Sequence, residues 1–388
     1  MLQSRSTVTS RERVLTALSH REPDRVPLDL GGSGCSTINV LAYHRLCAAM
    51  GLPREDGIPV QLHTQLVFPS ERFSQSFGCD VRSYYVPRDN PWKAAVVERS
   101  GFLEYRDEWG VLRRKPATGG HYFDPSGSAL TDARTSADVE AHPWPCYAEQ
   151  ARLATTPGEI RSLRERSGAA VLLGPVCAGL FEAGGIVMGH VPFFTSLASN
   201  EAAAGALMAK VLEMKLGWLE RVLPTVGELV DVVAEFDDIA GQHGPLISPR
   251  MYRGLVKPLH RQLFAAIRRL CDRPIFLHCC GDVTAFLDDF VDMGVNIINP
   301  VQVSAARMDP RELKRRWGSS ITFWGGIDTQ RLLPRGRPAE VRDEVRRRID
   351  EMGTGGGYVL AAVHDIQSDV PADNILAMRD TVLNRPGS

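Results

Sequence analysis

After Pro157 the sequence alternates between short apolar runs and longer amphipathic segments, and this alternation restricts the fold more than any other feature. Repeated pairs of one strand and one helix predict a parallel sheet. The predicted strands are residues 170–173, 230–236, 275–278, 295–299, 321–324 and 358–363. The predicted helices between them are residues 201–223, 249–270, 283–293, 310–317 and 338–352.

A further short apolar run, residues 26–30, follows a predicted helix at residues 11–18. Including this run gives roughly seven or eight β-α units, which favours a closed (β/α)8 TIM barrel over an open sheet. We expect residues 1–388 to form a single α/β domain with an N-terminal helical extension, residues 1–25. Residues 94–145 are expected to form a hairpin and then a long surface excursion, since they alternate in polarity and then become rich in Gly, Pro, Ser and Asp.

The balance of charges argues against nucleic acid and anionic membranes as partners. The 388 residues include 45 Lys and Arg against 46 Asp and Glu, a net charge of -1, so no global field attracts nucleic acid or an anionic membrane. The sequence contains no run of the ~20 apolar residues needed to cross a bilayer, and residues 1–13 lack the apolar core of a signal peptide. Eight scattered cysteines fit free thiols in a reducing compartment. We expect a cytoplasmic protein, and the sequence is compatible with an oligomer.

One predicted strand ends in a histidine and a cysteine with metal-ligand chemistry. His278 and Cys280 lie two residues apart at the end of the run 275–278, and residues i and i+2 of a strand face the same side. Imidazole and thiolate are zinc ligands, so the pair forms half of a zinc site. His364 ends the comparable run 358–363 and is a candidate for the other half.

More polar residues lie where other predicted strands end, and the carboxyl ends of barrel strands share the face that holds the active site. These residues are Asp29, Glu235, Asp237, Asp238, Asn299, Gln302, Asp328 and Asp365. A purely structural interpretation remains open for them, because carboxylates also cap helices or pair with arginines, and buried cysteine behaves as a small hydrophobe. No dinucleotide fingerprint, P-loop or nucleophile elbow is present.

The chain resembles the uroporphyrinogen decarboxylase superfamily, which includes methylcobalamin:thiol methyltransferases. The resemblance rests on residues 11–18, 23–27, 237–238, 244–249, 278–281, 299–302, 324–328 and 370–374. Decarboxylases of this superfamily carry an arginine-rich segment near the N-terminus that holds the porphyrinogen carboxylates. Residues 28–35 of this chain, LDLGGSGC, contain no arginine, which favours the methyltransferase branch.

The resemblance implies a zinc site of the pattern His-x-Cys plus a distant cysteine, and here His364 stands at the distant position. We therefore expect zinc bound by His278, Cys280 and His364, with Glu182 or Glu235 as a fourth ligand. Asp237 and Asp238 are the expected catalytic residues. The residues expected to bind substrate are Asp29, Asn299, Gln302 and Asp328.

The function implied is a zinc-dependent methyltransferase that moves a methyl group between a small donor or a corrinoid and a thiol-type acceptor. Methylcobalamin would be carried by a partner corrinoid protein, because the chain has no Asp-x-His-x-x-Gly motif. The alternative is a metal-free lyase that decarboxylates a small acid, with Asp29 or Asp237 as proton donor and His364 on the carboxylate. A ligand-binding barrel without turnover is a third hypothesis.

Overall fold

A computed structural model describes residues 8–384 of the chain, apart from residues 56, 91, 121 and 200. The strands are β1 (Ile38–Asn39), β2 (Leu66–Val67), β3 (Val81–Tyr84), β4 (Val97–Arg99), β5 (Phe102–Arg106), β6 (Leu112–Pro116), β7 (Asp124–Gly127), β8 (Ala170–Leu173), β9 (Val232–Phe236), β10 (Ala240–Gly241), β11 (Gly244–Pro245), β12 (Ile275–His278), β13 (Ile297–Val301), β14 (Thr322–Ile327) and β15 (Tyr358–Ala362).

The α-helices are α1 (Ser10–Leu18), α2 (Val40–Ala49), α3 (Glu71–Phe77), α4 (Ser136–Glu140), α5 (Tyr147–Gln150), α6 (Thr156–Ser167), α7 (Leu180–Val187), α8 (His190–Ser199), α9 (Ala202–Val226), α10 (Pro249–Met251), α11 (Lys257–Leu270), α12 (Leu287–Asp292), α13 (Pro310–Trp317), α14 (Leu332–Arg335), α15 (Pro338–Arg348) and α16 (Ala372–Leu383). A 3-10 turn follows α9 (Gly227–Leu229), and π-helical turns follow α10 (Tyr252–Val256) and α15 (Ile349–Gly353).

Seven parallel strands form one curled sheet in the order β15-β14-β13-β12-β9-β8-β3. Residues 26–30 close the ring between the two ends of this sheet. Leu28 forms a parallel bridge to Leu360 of β15, and its carbonyl oxygen accepts a 2.9 Å hydrogen bond from the backbone N–H of Asp80, next to β3. The structure therefore confirms the predicted (β/α)8 barrel, with the strand carboxyl ends on one face.

The sequence analysis missed β3 and overextended several elements. β3 contains a charged residue, Arg82, which is buried because its guanidinium pairs with Glu71 at 2.9 Å and donates to backbone carbonyls. Residues 26–30, predicted as a full strand, make a single bridge. The helix predicted at residues 283–293 is limited to α12, and the one predicted at residues 249–270 contains a π-helical turn.

Helix α1 covers the amino-terminal end of the barrel. It precedes the first strand in the sequence and so lies at the end where that strand begins. Thr9 and Glu12 form a reciprocal capping box at its start. Val14 packs among residues of the barrel interior, including Val232 and Phe276. This helix leaves the opposite, carboxyl-end face for a site.

The predicted hairpin is confirmed as part of a four-stranded antiparallel sheet, β4-β5-β6-β7. Residues 115–145, predicted as a long surface excursion, include β7 and α4. Phe123, Leu130 and Val139 are buried, so this segment packs onto the barrel. It forms a wall above the strand carboxyl ends.

Helices α7 and α8 meet at a bend of 117° and pack through aromatic rings, with Phe181 and Phe193 5.2 Å apart between ring centroids. In the part of the chain that the structure describes, no single helix is long and apolar enough to cross a membrane. This bent pair meets the criteria of length and composition only when its two helices are taken together.

Substituting alanine for glycine is expected to change stability in opposite directions in two neighbouring helices. A Cβ at Gly184 in α7 would lie 2.2 Å from the Phe193 ring, whereas a Cβ at Gly205 in α9 would meet nothing within 4 Å. Overpacking should make Gly184→Ala less stable by about 1–3 kcal/mol. Gly205→Ala should be more stable by about 0.5–1 kcal/mol, because alanine loses less backbone entropy in a helix. Urea unfolding checks both values, and equal effects would contradict the packing described.

Candidate functional site

The side chain of His278 has a fixed tautomer. Its Nδ1 lies 2.5 Å from Oδ1 of Asn299, and the amide of Asn299 is oriented because its Nδ2 donates to the Trp324 carbonyl at 3.2 Å. A side-chain amide oxygen only accepts hydrogen bonds, so Nδ1 of His278 must carry the proton. Nε2 is therefore unprotonated, and it accepts a hydrogen bond from Sγ of Cys280 at 3.3 Å.

The protonation of this pair is set by burial. Burial lowers the pKa of His278, against the opposing effect of the Asp238 carboxylate, so the imidazole stays neutral. Burial and the nearby Asp238 raise the pKa of the Cys280 thiol well above its ordinary value. The free protein thus presents a neutral imidazole beside a protonated thiol, and a bound cation would have to displace the thiol proton.

Asp238 connects the two candidate ligands through its carboxylate. Its Oδ1 accepts a 2.7 Å hydrogen bond from the backbone N–H of Cys280 and lies 3.9 Å from Nε2 of His278. The contact fixes the backbone at Cys280, and the side chain of Asp238 remains 36% exposed toward the cavity.

His364 reaches the same place from the end of β15. Its ring centroid is 5.4 Å from that of His278, and its Nδ1 lies 3.2 Å from Oδ2 of Asp365. Burial alone would lower the pKa of His364, but the carboxylates of Asp365, Asp238 and Glu182 together raise it.

Two groups of three potential ligands share His278. One contains Asp238, His278 and Cys280, and the other contains Cys35, His278 and His364; within each group the ligand atoms lie within 4.8 Å of one another. His278 therefore has Cys280 beside it in one group and His364 beside it in the other, and the two groups overlap only at His278. The cluster contains the imidazole, thiol and carboxylate donors that zinc prefers.

These donors line a cavity of about 670 Å³ at the carboxyl ends of the strands. The inner wall contains Cys35, Glu182, Asp238, His278, His364 and Asp365, and the outer wall comes from the antiparallel sheet and its flanking loops. The outer wall includes Arg88, Trp92, Tyr105 and Arg113. A volume of this size accommodates a small organic ligand.

Asp237 and Asp238 have different environments although they are adjacent. The carboxylate of Asp237 accepts hydrogen bonds from the backbone N–H groups of Phe181 and Glu182, at 2.8–3.1 Å, and its Oδ2 lies 2.8 Å from Nε2 of His260. Asp237 is buried and caps the start of α7, away from the cavity lining, whereas Asp238 lines the cavity.

The two glutamates expected as a fourth ligand also differ. Glu235 is buried and pairs with Lys215, with 2.6 Å between Oε2 and Nζ. Glu182 lines the cavity, and burial, together with the charges of Asp238 and Asp237, raises its pKa to about 7. Among the described residues, neither glutamate belongs to a group of three potential ligands.

The residues expected to bind substrate lie outside the described cavity lining, although two of them support the site. Asn299 orients His278, and Oε1 of Gln302 accepts a 2.7 Å hydrogen bond from the backbone N–H of Gly281. Asp29 is buried below the site, where its carboxylate accepts from Gly32, Ser36 and Trp324, and burial raises its pKa to about 6. Asp328 caps the turn before α14.

Sequence reasoning missed Cys35 and the outer wall. A signal for Cys35 was present, because it follows the glycine-rich turn directly after residues 26–30 and so lies at a strand exit like the other candidates. The outer wall carried no such signal, since its residues come from antiparallel strands and loops whose docking position depends on tertiary contacts.

The fold and this cluster define a (β/α)8 barrel with a histidine–cysteine centre at the strand carboxyl ends. Residues 122–384 match the uroporphyrinogen decarboxylase (URO-D) family. The chain belongs to this family.

Two curated proteins are similar to this chain in sequence. The chain is 24% identical over 273 residues to the methylated-thiol–coenzyme M methyltransferase of Methanosarcina mazei, covering 70% of this chain and 65% of that protein. It is 35% identical over 71 residues to a uroporphyrinogen decarboxylase of Actinobacillus succinogenes, covering 18% and 20% of the two chains. The matched region thus spans less than two thirds of either relative.

A solved structure supports the fold. A methyltransferase from Methanosarcina mazei superposes with a TM-score of 0.63 at 17% sequence identity, covering 96% of this chain and 98% of that one. At this level of identity the similarity concerns the barrel architecture.

Proposed function

We propose that this chain is a zinc-dependent methyltransferase that transfers a methyl group to a thiol acceptor. The observation that carries the proposal is the His278 tautomer, since Asn299 leaves Nε2 unprotonated beside Sγ of Cys280. The similarity to a methylated-thiol–coenzyme M methyltransferase supports the choice of acceptor.

The residues present fit a zinc ion. His278, Cys280 and His364 offer two imidazoles and one thiolate, and Asp238 and Glu182 provide negative charge around them. Zinc lowers the pKa of a thiol that coordinates it, so that the acceptor is a thiolate at neutral pH.

The chain's own residues would position the acceptor and remove its proton. Asp238 holds the backbone of Cys280 and leaves part of its carboxylate facing the cavity. Glu182, with a pKa of about 7, is suited to accept the thiol proton and release it to solvent. The outer wall would exclude water around the reacting atoms.

The reaction we propose balances as a simple displacement. The thiolate sulfur forms a bond to the methyl carbon while the bond from that carbon to the cobalt of methylcobalamin breaks. The electron pair of the broken bond stays on cobalt. We propose that a partner corrinoid protein presents methylcobalamin at the open end of the cavity, and that the acceptor is a small thiol.

Decarboxylation of a small acid is the second candidate, favoured by the similarity to a uroporphyrinogen decarboxylase. It is less well supported, because Asp29 does not belong to the cavity lining and already accepts three hydrogen bonds. Asp237 is likewise occupied by backbone N–H groups and His260.

One product analysis distinguishes the two candidates. The zinc-reconstituted protein is incubated without oxygen with methylcobalamin and 2-mercaptoethanesulfonate, and the methylated thiol is quantified by mass spectrometry. We expect one methylated thiol per methylcobalamin consumed. Absence of transfer, together with carbon dioxide release from a panel of small carboxylic acids, would replace the proposal with the lyase.

Asn299→Leu is expected to weaken zinc binding about 10–100-fold, the usual effect of losing the group that orients a histidine ligand. The substitution removes the acceptor for Nδ1–H of His278. Zinc affinity is measured by competition with a chelator. Asn374→Leu is the matched control, since Asn374 is also a buried amide that bonds backbone carbonyls, those of Leu333 and Gly336. Equal weakening in both variants would mean that the effect is general destabilisation.

A further inference from the structure

Cys35 lies in the cavity next to the candidate zinc ligands. Its sulfur belongs to the same group of potential ligands as His278 and His364, with ligand atoms within 4.8 Å of one another. Cys35 is also among the residues that line the cavity.

The loop that carries Cys35 is held in place by hydrogen bonds. The backbone N–H of Gly31 donates to the carbonyl of Ser36 at 2.8 Å, and Oγ of Ser36 donates to Asp29 at 2.6 Å. A Cβ at Gly34 would lie 2.4 Å from Oη of Tyr85, so the loop is pressed against that ring. These contacts leave Cys35 little freedom to point elsewhere.

The same loop is joined to the segment that carries His364. The backbone N–H of Thr37 donates to Oδ1 of Asp365 at 3.0 Å, and the backbone N–H of Ile366 donates to the carbonyl of Thr37 at 2.8 Å. Cys35 and His364 are therefore positioned by one rigid pairing between two strand exits, although they are far apart in sequence.

We propose that Cys35 is a zinc ligand and supplies a second thiolate beside Cys280. This inference rests on the proposed zinc-dependent function and names a ligand that the His-x-Cys pattern does not contain. Bond lengths of about 2.0 Å to nitrogen and 2.3 Å to sulfur in a tetrahedral site place neighbouring ligand atoms roughly 3.3–3.8 Å apart. Within each group the ligand atoms already lie within 4.8 Å of one another, and a single site would also need side-chain rotation that brings Cys280 toward Cys35 and His364.

Two thiolate ligands would balance the two positive charges of the zinc ion. His278, Cys280, Cys35 and His364 would then complete a four-ligand set. Of the two histidines, His364 would be the one to give way to an incoming thiol, because its side chain is 39% exposed whereas that of His278 is 5% exposed.

Cobalt substitution tests the ligand count independently of activity. In the Co²⁺-loaded protein, the near-ultraviolet absorption from sulfur-to-cobalt charge transfer scales with the number of thiolates bound. We expect Cys35→Ser to lose about half of this absorption, as one of two thiolate ligands is removed. Cys177→Ser is the matched control, because Cys177 lines the same cavity but belongs to no group of potential ligands among the described residues.

The outcomes separate the two levels of the proposal. The Cys35 assignment would be overturned if Cys35→Ser absorbed as strongly as the wild type while Cys280→Ser lost absorption. The proposed zinc centre would then still stand. Undiminished metal binding in both Cys280→Ser and His278→Ala would overturn the proposed centre itself. If Cys35→Ser does not fold, X-ray absorption of the zinc-loaded wild type decides, with two sulfur neighbours supporting the assignment and one sulfur neighbour rejecting it.

Discussion

Replacing Lys215 with methionine is expected to lower the free energy of unfolding by about 3–5 kcal/mol, the usual cost of leaving a buried charge without its partner. Lys215 and Glu235 are 0% and 3% exposed, and their charged atoms are 2.6 Å apart. The Glu235 carboxylate and the nearby Asp237 help to raise the pKa of Lys215 to about 12, although burial opposes the charge. Methionine fills a similar volume, so the loss of stability measures the cost of leaving the Glu235 carboxylate unpaired.

A double-mutant cycle measured by urea unfolding isolates this pair. Lys215→Met with Glu235→Leu should be closer to the wild type than Lys215→Met alone, because the second substitution removes the unpaired acid. Lys210→Met is the matched control in the same helix, since Lys210 pairs with Glu213 at the surface, where such pairs contribute about 0–1 kcal/mol. Similar losses for Lys210→Met and Lys215→Met would contradict the interpretation.

His278→Ala is expected to abolish zinc binding and to lower the rate of methyl transfer by more than about 100-fold, beyond the range seen when only an outer partner of a ligand is lost. The substitution removes the one residue that both groups of potential ligands share. Metal content is measured by mass spectrometry after zinc reconstitution, and the rate is measured on the same samples.

His63→Ala serves as the matched control for this substitution. His63 lines the cavity but belongs to no group of potential ligands in the described part of the chain. We expect it to retain about one zinc per chain, the stoichiometry of a single site. A His278→Ala variant that kept its zinc and its activity would exclude the imidazole as a ligand.

The barrel and the location of the site could be predicted from local sequence patterns. Buried parallel strands appear as apolar runs, and the spacing of His278 and Cys280 predicts that both point the same way at the end of β12, where the structure brings their Nε2 and Sγ atoms to 3.3 Å. The shared face of the strand exits then follows from the fold class.

Other features depended on contacts that spacing does not encode. Glu235 and Asp237 looked equivalent to Asp238 because all three come directly after the apolar run 230–234. Their roles differ because Glu235 pairs with Lys215 of α9 and Asp237 bonds to His260 of α11, whereas Asp238 lines the cavity. β3 was missed because it contains a charged residue, Arg82, whose burial is possible only through its ion pair with Glu71. Such partners are identified only when the helices are placed around the sheet.

The central claim is that the metal centre of this chain receives the acceptor thiol directly. Zinc X-ray absorption, recorded before and after addition of 2-mercaptoethanesulfonate, tests it most directly. We predict one additional sulfur neighbour at about 2.3 Å, the usual zinc–sulfur distance, with loss of one nitrogen neighbour. A sulfur count that does not change when the thiol is bound would contradict the account.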